Sequence, residues 1–163
     1  MKEIFLIYLV NLIMPLCYSQ HSENEMWQIV LNKNIPDSTF IFNHTKKDIY
    51  NETQLTYLGL ISTNNNKNFK LLKSCWLWGL SKRATGRIII FNLENQYVGE
   101  YYVGGLYDLP EKLADNSLIF TNAKNNDCDS KLKTVISFKK GIPGKIFVRC
   151  KNEYGNIYTF SSE

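Results

Sequence analysis

Trp76, Trp78, Lys82, Arg83 and Arg87 stand close together in the chain and have side chains suited to recognition. An indole face stacks on sugars, bases or cations, and a guanidinium grips a carboxylate or phosphate through paired N–H groups. Trp76 and Trp78 are two residues apart, which in a strand places both on one face. Ser81–Arg87 carries every Arg of the chain except Arg149. The cluster is therefore a candidate site for an acidic glycan, a phosphate or an acidic protein surface. The competing expectation, which the usual burial of Trp favours, puts both indoles in the core and leaves the cations solvating a loop.

Catalytic chemistry has little to work with. The chain has no G-x-S-x-G, H-E-x-x-H, P-loop or C-x-x-C pattern, and its only histidines are His21 and His44. A His-based triad or a multi-His zinc site is not expected. Asn125–Ser130 has oxygens at alternate positions, as a calcium loop does. It lacks the glycine at its sixth position, and Ile136 stands where a bidentate Glu belongs. No catalytic residue, metal or cofactor is assigned. Acids are scattered, so a cell-wall polymer hydrolase would need two carboxylates brought together by the fold. Asn43-His44-Thr45 and Asn51-Glu52-Thr53 match the N-glycosylation pattern.

The N-terminus carries the clearest address. Met1-Lys2-Glu3 precedes an apolar run from Ile4 to Leu16, and Cys17-Tyr18-Ser19 then offers small residues where signal peptidase requires them. Residues 1–19 are read as a signal peptide cleaved before Gln20, and the run is short for a transmembrane helix. Leu16 before Cys17 departs from a lipobox, so a lipid anchor at Cys17 is not expected. The mature chain, 20–163, is read as a single β-rich domain without a transmembrane segment. Its expected location is periplasmic or secreted.

Cysteine use agrees with export. Of four cysteines, Cys75, Cys128 and Cys150 remain after cleavage. Cys128–Cys150 is the expected disulfide, because Cys150 shares an inward strand face with Ile146 and Val148. Closing that loop would contribute about 3 kcal/mol. Cys75, inside the apolar run Leu71–Trp78, is expected to be a buried free thiol.

Positioning falls mainly to strands. Residues 22–32 suit either a helix, with a Ser22–Glu25 capping box, or a strand at Ile29–Leu31. From Thr39 onward the patterns are β. Leu55, Tyr57, Gly59 and Ile61 alternate on one apparent face, Phe69–Leu80 is apolar on both, and Arg87–Val103 forms a hairpin turning at Asn92–Gln96. Asp108-Leu109-Pro110-Glu111 suggests a short helix near 109–114. Strands follow at 117–121, 131–138, 145–150 and 154–160. The fold class is all-β and mainly antiparallel, a meander curled into a small barrel or sandwich.

The chain is 44% hydrophobic and 21% charged, with a formal charge of +4. That balance excludes a disordered chain, and positive charge this dispersed does not suit a nucleic-acid binder. The expected function is non-catalytic binding of a protein or envelope component through a β-surface, as an inhibitor, immunity-type protein or accessory subunit. The alternative is a glycan- or anion-binding module built on the Trp76, Trp78, Arg83 and Arg87 cluster.

Overall fold

The computed structural model describes residues 21–47, 49–123 and 127–162. The signal-peptide reading and Cys17 lie outside the described residues, as does the Ser22 side chain of the capping box. Residues His21–Lys33 form helix α1. Ten strands follow, ordered β1-β2-β3-β4-β5-β10-β9 in a seven-stranded sheet and β6-β7-β8 in a three-stranded one. Their spans are β1 Thr39–Asn43, β2 Tyr50–Ser62, β3 Asn68–Gly79, β4 Arg83–Phe91, β5 Tyr97–Gly104, β6 Lys112–Ala114, β7 Ser117–Thr121, β8 Lys133–Ser137, β9 Lys145–Lys151 and β10 Tyr154–Ser161. All pairings are antiparallel. The all-β expectation holds in a sandwich-like form without a closed barrel.

The two faces of the large sheet are buried against different things. On one, Ile61, Leu71, Ile88, Ile90, Tyr101 and Val103 pack with Leu118, Phe120 and Phe138 from the β7–β8 layer and with Ile146 and Val148 of β9. On the other, Leu55, Tyr57, Leu72, Ile89 and Phe91 pack under Met26, Val30 and Leu31 of α1. Where central strands are covered on both sides, successive residues are apolar, which explains Leu71-Leu72 in β3 and Ile88–Phe91 in β4.

One residue resets the pattern in β2. Tyr57 pairs with Leu72 and Gly59 with Leu71, so Leu58 is an extra residue on the β2 side. Leu55 and Tyr57 consequently face α1, while Leu58 and Ile61 face the second sheet. The expected single face for Leu55, Tyr57, Gly59 and Ile61 is therefore split. Gly59 sits at φ +125, a backbone conformation that a side chain would strain.

The short helical turn lies at Leu106–Asp108, just ahead of the expected 109–114, and 112–114 is strand β6. Asp108 accepts the Gly105 N–H (2.8 Å), closing the turn before Leu109. Leu109, extended as a residue before proline prefers, inserts into the core, and β6 pairs with β7. Residues 22–32, open to either element in sequence, are helical. Asn34, Asn66, Asn95, Asn116 and Asn152 adopt left-handed backbone, so part of the Asn-rich composition serves turns.

Cys128 and Cys150 are paired at disulfide distance, with Cα atoms 4.5 Å apart, and Cys75 is a buried free thiol. No helix among the described residues is long and apolar enough to cross a membrane.

Candidate functional site

Helix α1 covers only half of its face of the large sheet. Beyond its first turns the same strands continue with different residues, and a trough of about 1030 Å³ opens. Its floor is Thr53 of β2, Trp76 of β3, Thr85 and Arg87 of β4, and Tyr102 of β5. Cross-strand pairing sets this floor: Thr53 is opposite Trp76, Trp76 opposite Thr85, and Arg87 opposite Tyr102. His44, Lys46 and Ile49 form one wall, and Glu23 and Met26 of α1 the other.

The indoles are at the surface of this face and belong to neither core cluster. Trp76 is 39% exposed and stacks on Trp78, with ring centroids 5.5 Å apart and planes 26° apart. The Trp76 indole N–H donates to Asn51 Oδ1 (2.9 Å), and that of Trp78 to Thr85 Oγ1 (3.1 Å). Each ring is therefore held by a diagonal neighbour on an adjacent strand as well as by the other ring. The Arg83 guanidinium lies 5.7 Å from the Trp78 ring centre. Trp76 fronts the trough, with Trp78 and Arg83 behind it.

The other two cations have different roles. Arg87 lies on this face but is engaged by Glu23 of α1 and Glu100 of β5, and it also approaches the Trp27 ring. It is a tie between helix and sheet. Lys82 turns to the opposite face and sits 4.6 Å above the Tyr50 ring. There Tyr50 and Gln54 donate to the two oxygens of buried Glu52 (2.9 and 2.7 Å), and the bond to Glu52 raises the Tyr50 phenol above its ordinary pKa. The sequence cluster thus divides into Trp76, Trp78 and Arg83 as one unit, Arg87 as a boundary, and Lys82 elsewhere.

The carboxylates beside the trough are Glu23 and Glu100. Arg87 stands between them as a shared counter-ion, an arrangement unlike two acids flanking a scissile bond. Among the described residues no group of three or more His, Cys, Asp or Glu could hold a metal. Cys75 faces a small cavity of about 170 Å³ with Lys73, Gln54 and Thr56. Burial pushes the Cys75 thiol up and the Lys73 ammonium down, and Lys73 donates to the Pro110 carbonyl (3.2 Å). A thiol raised in this way is a poor nucleophile.

The tyrosines of the β4–β5 region divide by strand parity. Tyr101 is fully buried, whereas Tyr102 is 59% exposed over the trough. Nothing in the local sequence marks Thr53, Thr85, His44 and Ile49 as ligand contacts. Their signal is the β2–β3–β4 register, which local patterns do not contain. Comparison with protein-family models, with curated proteins and with solved structures finds no match to this chain.

Proposed function

We propose that this is a non-catalytic binding protein of the extracytoplasmic space, exported by its first 19 residues, that holds a glycan chain of the envelope or its surroundings in the trough. The observation that carries this reading is the exposed Trp76 ring, fixed by Asn51 and Trp78, at the floor of a concave surface. A fixed aromatic face offers a sugar ring an apolar surface with little ordering cost. Thr53, Thr85 and His44 supply hydroxyl and imidazole groups around it. The positive charge of Arg83, beside Trp78 and close to the trough, favours acidic glycans over neutral ones. The Cys128–Cys150 pair supports an oxidising compartment.

A protein partner is the second reading, favoured by the exposed aromatic and aliphatic side chains of Tyr102 and Ile49 in the trough. The deciding experiment titrates neutral and acidic oligosaccharides into the exported protein while following Trp fluorescence. An affinity pull-down from the envelope fraction runs in parallel. Saturable glycan binding weakened about tenfold or more by Trp76→Ala supports the glycan reading. A stoichiometric protein partner lost with Trp76→Ala, without glycan binding, replaces it by the second. Binding by neither route overturns both.

A further inference from the structure

Strand β1 forms one lateral edge of the large sheet, and its main-chain groups divide into two sets. His44 donates its N–H to the Asn51 carbonyl (2.7 Å), and the ladder continues in the same register from Asn43 opposite Glu52 to Thr39 opposite Thr56. In an antiparallel pair, alternate residues direct their N–H and C=O toward the partner strand. Phe42 and Phe40 therefore direct theirs to β2, as His44 does. Thr39, Ile41 and Asn43 direct theirs outward. Among the described residues β1 pairs with no strand but β2.

This edge lacks the devices that discourage edge-to-edge pairing. Thr39-Phe40-Ile41-Phe42-Asn43 has no charge and no proline, and its pairing with β2 runs without a register shift. The opposite edge is different. Strand β9 carries Lys145, Arg149 and Lys151, and the β9–β10 ladder is interrupted by a bulge. One edge is protected and the other is open.

We propose that β1 is the pairing edge of a symmetric dimer, with a second copy of this chain as its partner. An antiparallel pairing about a two-fold axis at Ile41 sets each Ile41 opposite its own counterpart and each Thr39 opposite the other copy's Asn43. These are the residues whose main-chain groups point outward, so every outward N–H and C=O of the strand finds a partner. A shift by one residue would face outward groups with inward ones. In the symmetric register Phe40 and Phe42, half-buried against the α1-side core, meet each other across the axis. Ile41, 62% exposed, meets itself on the opposite face. No charge opposes another charge within the strand. His44, Lys46 and Ile49 follow directly on β1, so the dimer carries two troughs on one face of a continuous sheet. The inference stands whatever the trough holds.

Sedimentation velocity of the exported protein over about 1–100 μM tests it, with a concentration-dependent dimer as the expected result. Ile41→Pro removes an outward N–H that β2 does not use, and Ile41→Lys opposes two ammonium groups at the axis. Each is expected to weaken the dimer about tenfold or more while near-UV circular dichroism stays unchanged. Ile157→Lys, on an exposed position of β10, should leave the dimer intact. Register is read separately: Ile41→Cys should give an interchain disulfide on mild oxidation, and Ile157→Cys should not. A monomer at every concentration, a dimer that survives both Ile41 variants, or equal cross-linking at 41 and 157 overturns the proposal.

Discussion

Leu72 and Trp76 lie on the same strand and the same face, yet Leu72 is fully buried under α1 and Trp76 stands open to solvent. The difference comes from where the helix begins. Under α1, strands β2, β3 and β4 contribute Leu55, Tyr57, Leu72, Ile89 and Phe91; beyond it, β2 to β5 contribute Thr53, Trp76, Thr85, Arg87 and Tyr102. The first set is hydrocarbon apart from the Tyr57 hydroxyl, and such surface gains most by leaving water. The second mixes hydroxyls, indole, phenol and a guanidinium, which tolerate half-exposure and can contact a ligand. Arg87 marks the boundary, joined to Glu23 on the helix and Glu100 on the sheet. One continuous sheet face thus serves as core at one end and as candidate binding surface at the other.

Removing the covered half should have the largest effect. Leu31→Ala, at a position 1% exposed, should cost about 2–5 kcal/mol by urea unfolding. A loss below about 1 kcal/mol would mean that α1 contributes little to the core. The boundary comes next. Arg87→Met keeps the aliphatic stem but removes the cation that lies between Glu23 and Glu100. Glu23 is partly exposed, so solvent screening limits the expected loss to about 1–2 kcal/mol. The loss should shrink in high salt; a salt-independent effect would point to packing over Trp27.

The sheet's other face sets the alkaline limit. Tyr158, packed against the second-sheet core, has its phenol pushed up to about 12 by burial and by nearby Asp108. A phenol whose folded-state pKa exceeds its unfolded value stabilises the fold fully below pH ~10, and that contribution is lost as pH rises from about 10 to 12. Urea midpoints should therefore fall across that window, and Tyr158→Phe should flatten the fall. An unchanged slope in the variant would assign the alkaline loss to other groups. The smallest effect belongs to the open half. Trp76→Ala should change stability by less than about 1 kcal/mol, since its ring borders solvent, while binding in the trough is lost. A large loss of stability would make Trp76 a structural residue and weaken the site.

Much of the scaffold was legible locally. Strand patterning marked the β4–β5 hairpin, its Asn92–Gln96 turn and the 117–121 strand, because β-branched and aromatic runs between polar turn residues carry that information within a few residues. The Cys128–Cys150 pair and the buried Cys75 also followed from strand phase and apolar context. The site was legible only in part. Trp76, Trp78 and Arg83 stand together in the sequence, but residue type alone argues for burial of the indoles. Sequence proximity joins Lys82 and Arg87 to them and does not show that a turn sends Lys82 to the opposite face. Nor does it show that Arg87 meets two acids distant in the chain.

Residue types along the chain determined the class of fold, the covalent cross-link and the set of candidate binding residues. Tertiary structure decided which of those residues share a surface. The physical reason lies in the period of the strand. Side chains alternate, so the single extra residue at Leu58 sends everything after it in β2 to the other face. The boundary between core and trough depends on how far a helix from a different part of the chain reaches across the sheet, and no local pattern in the strands encodes that distance.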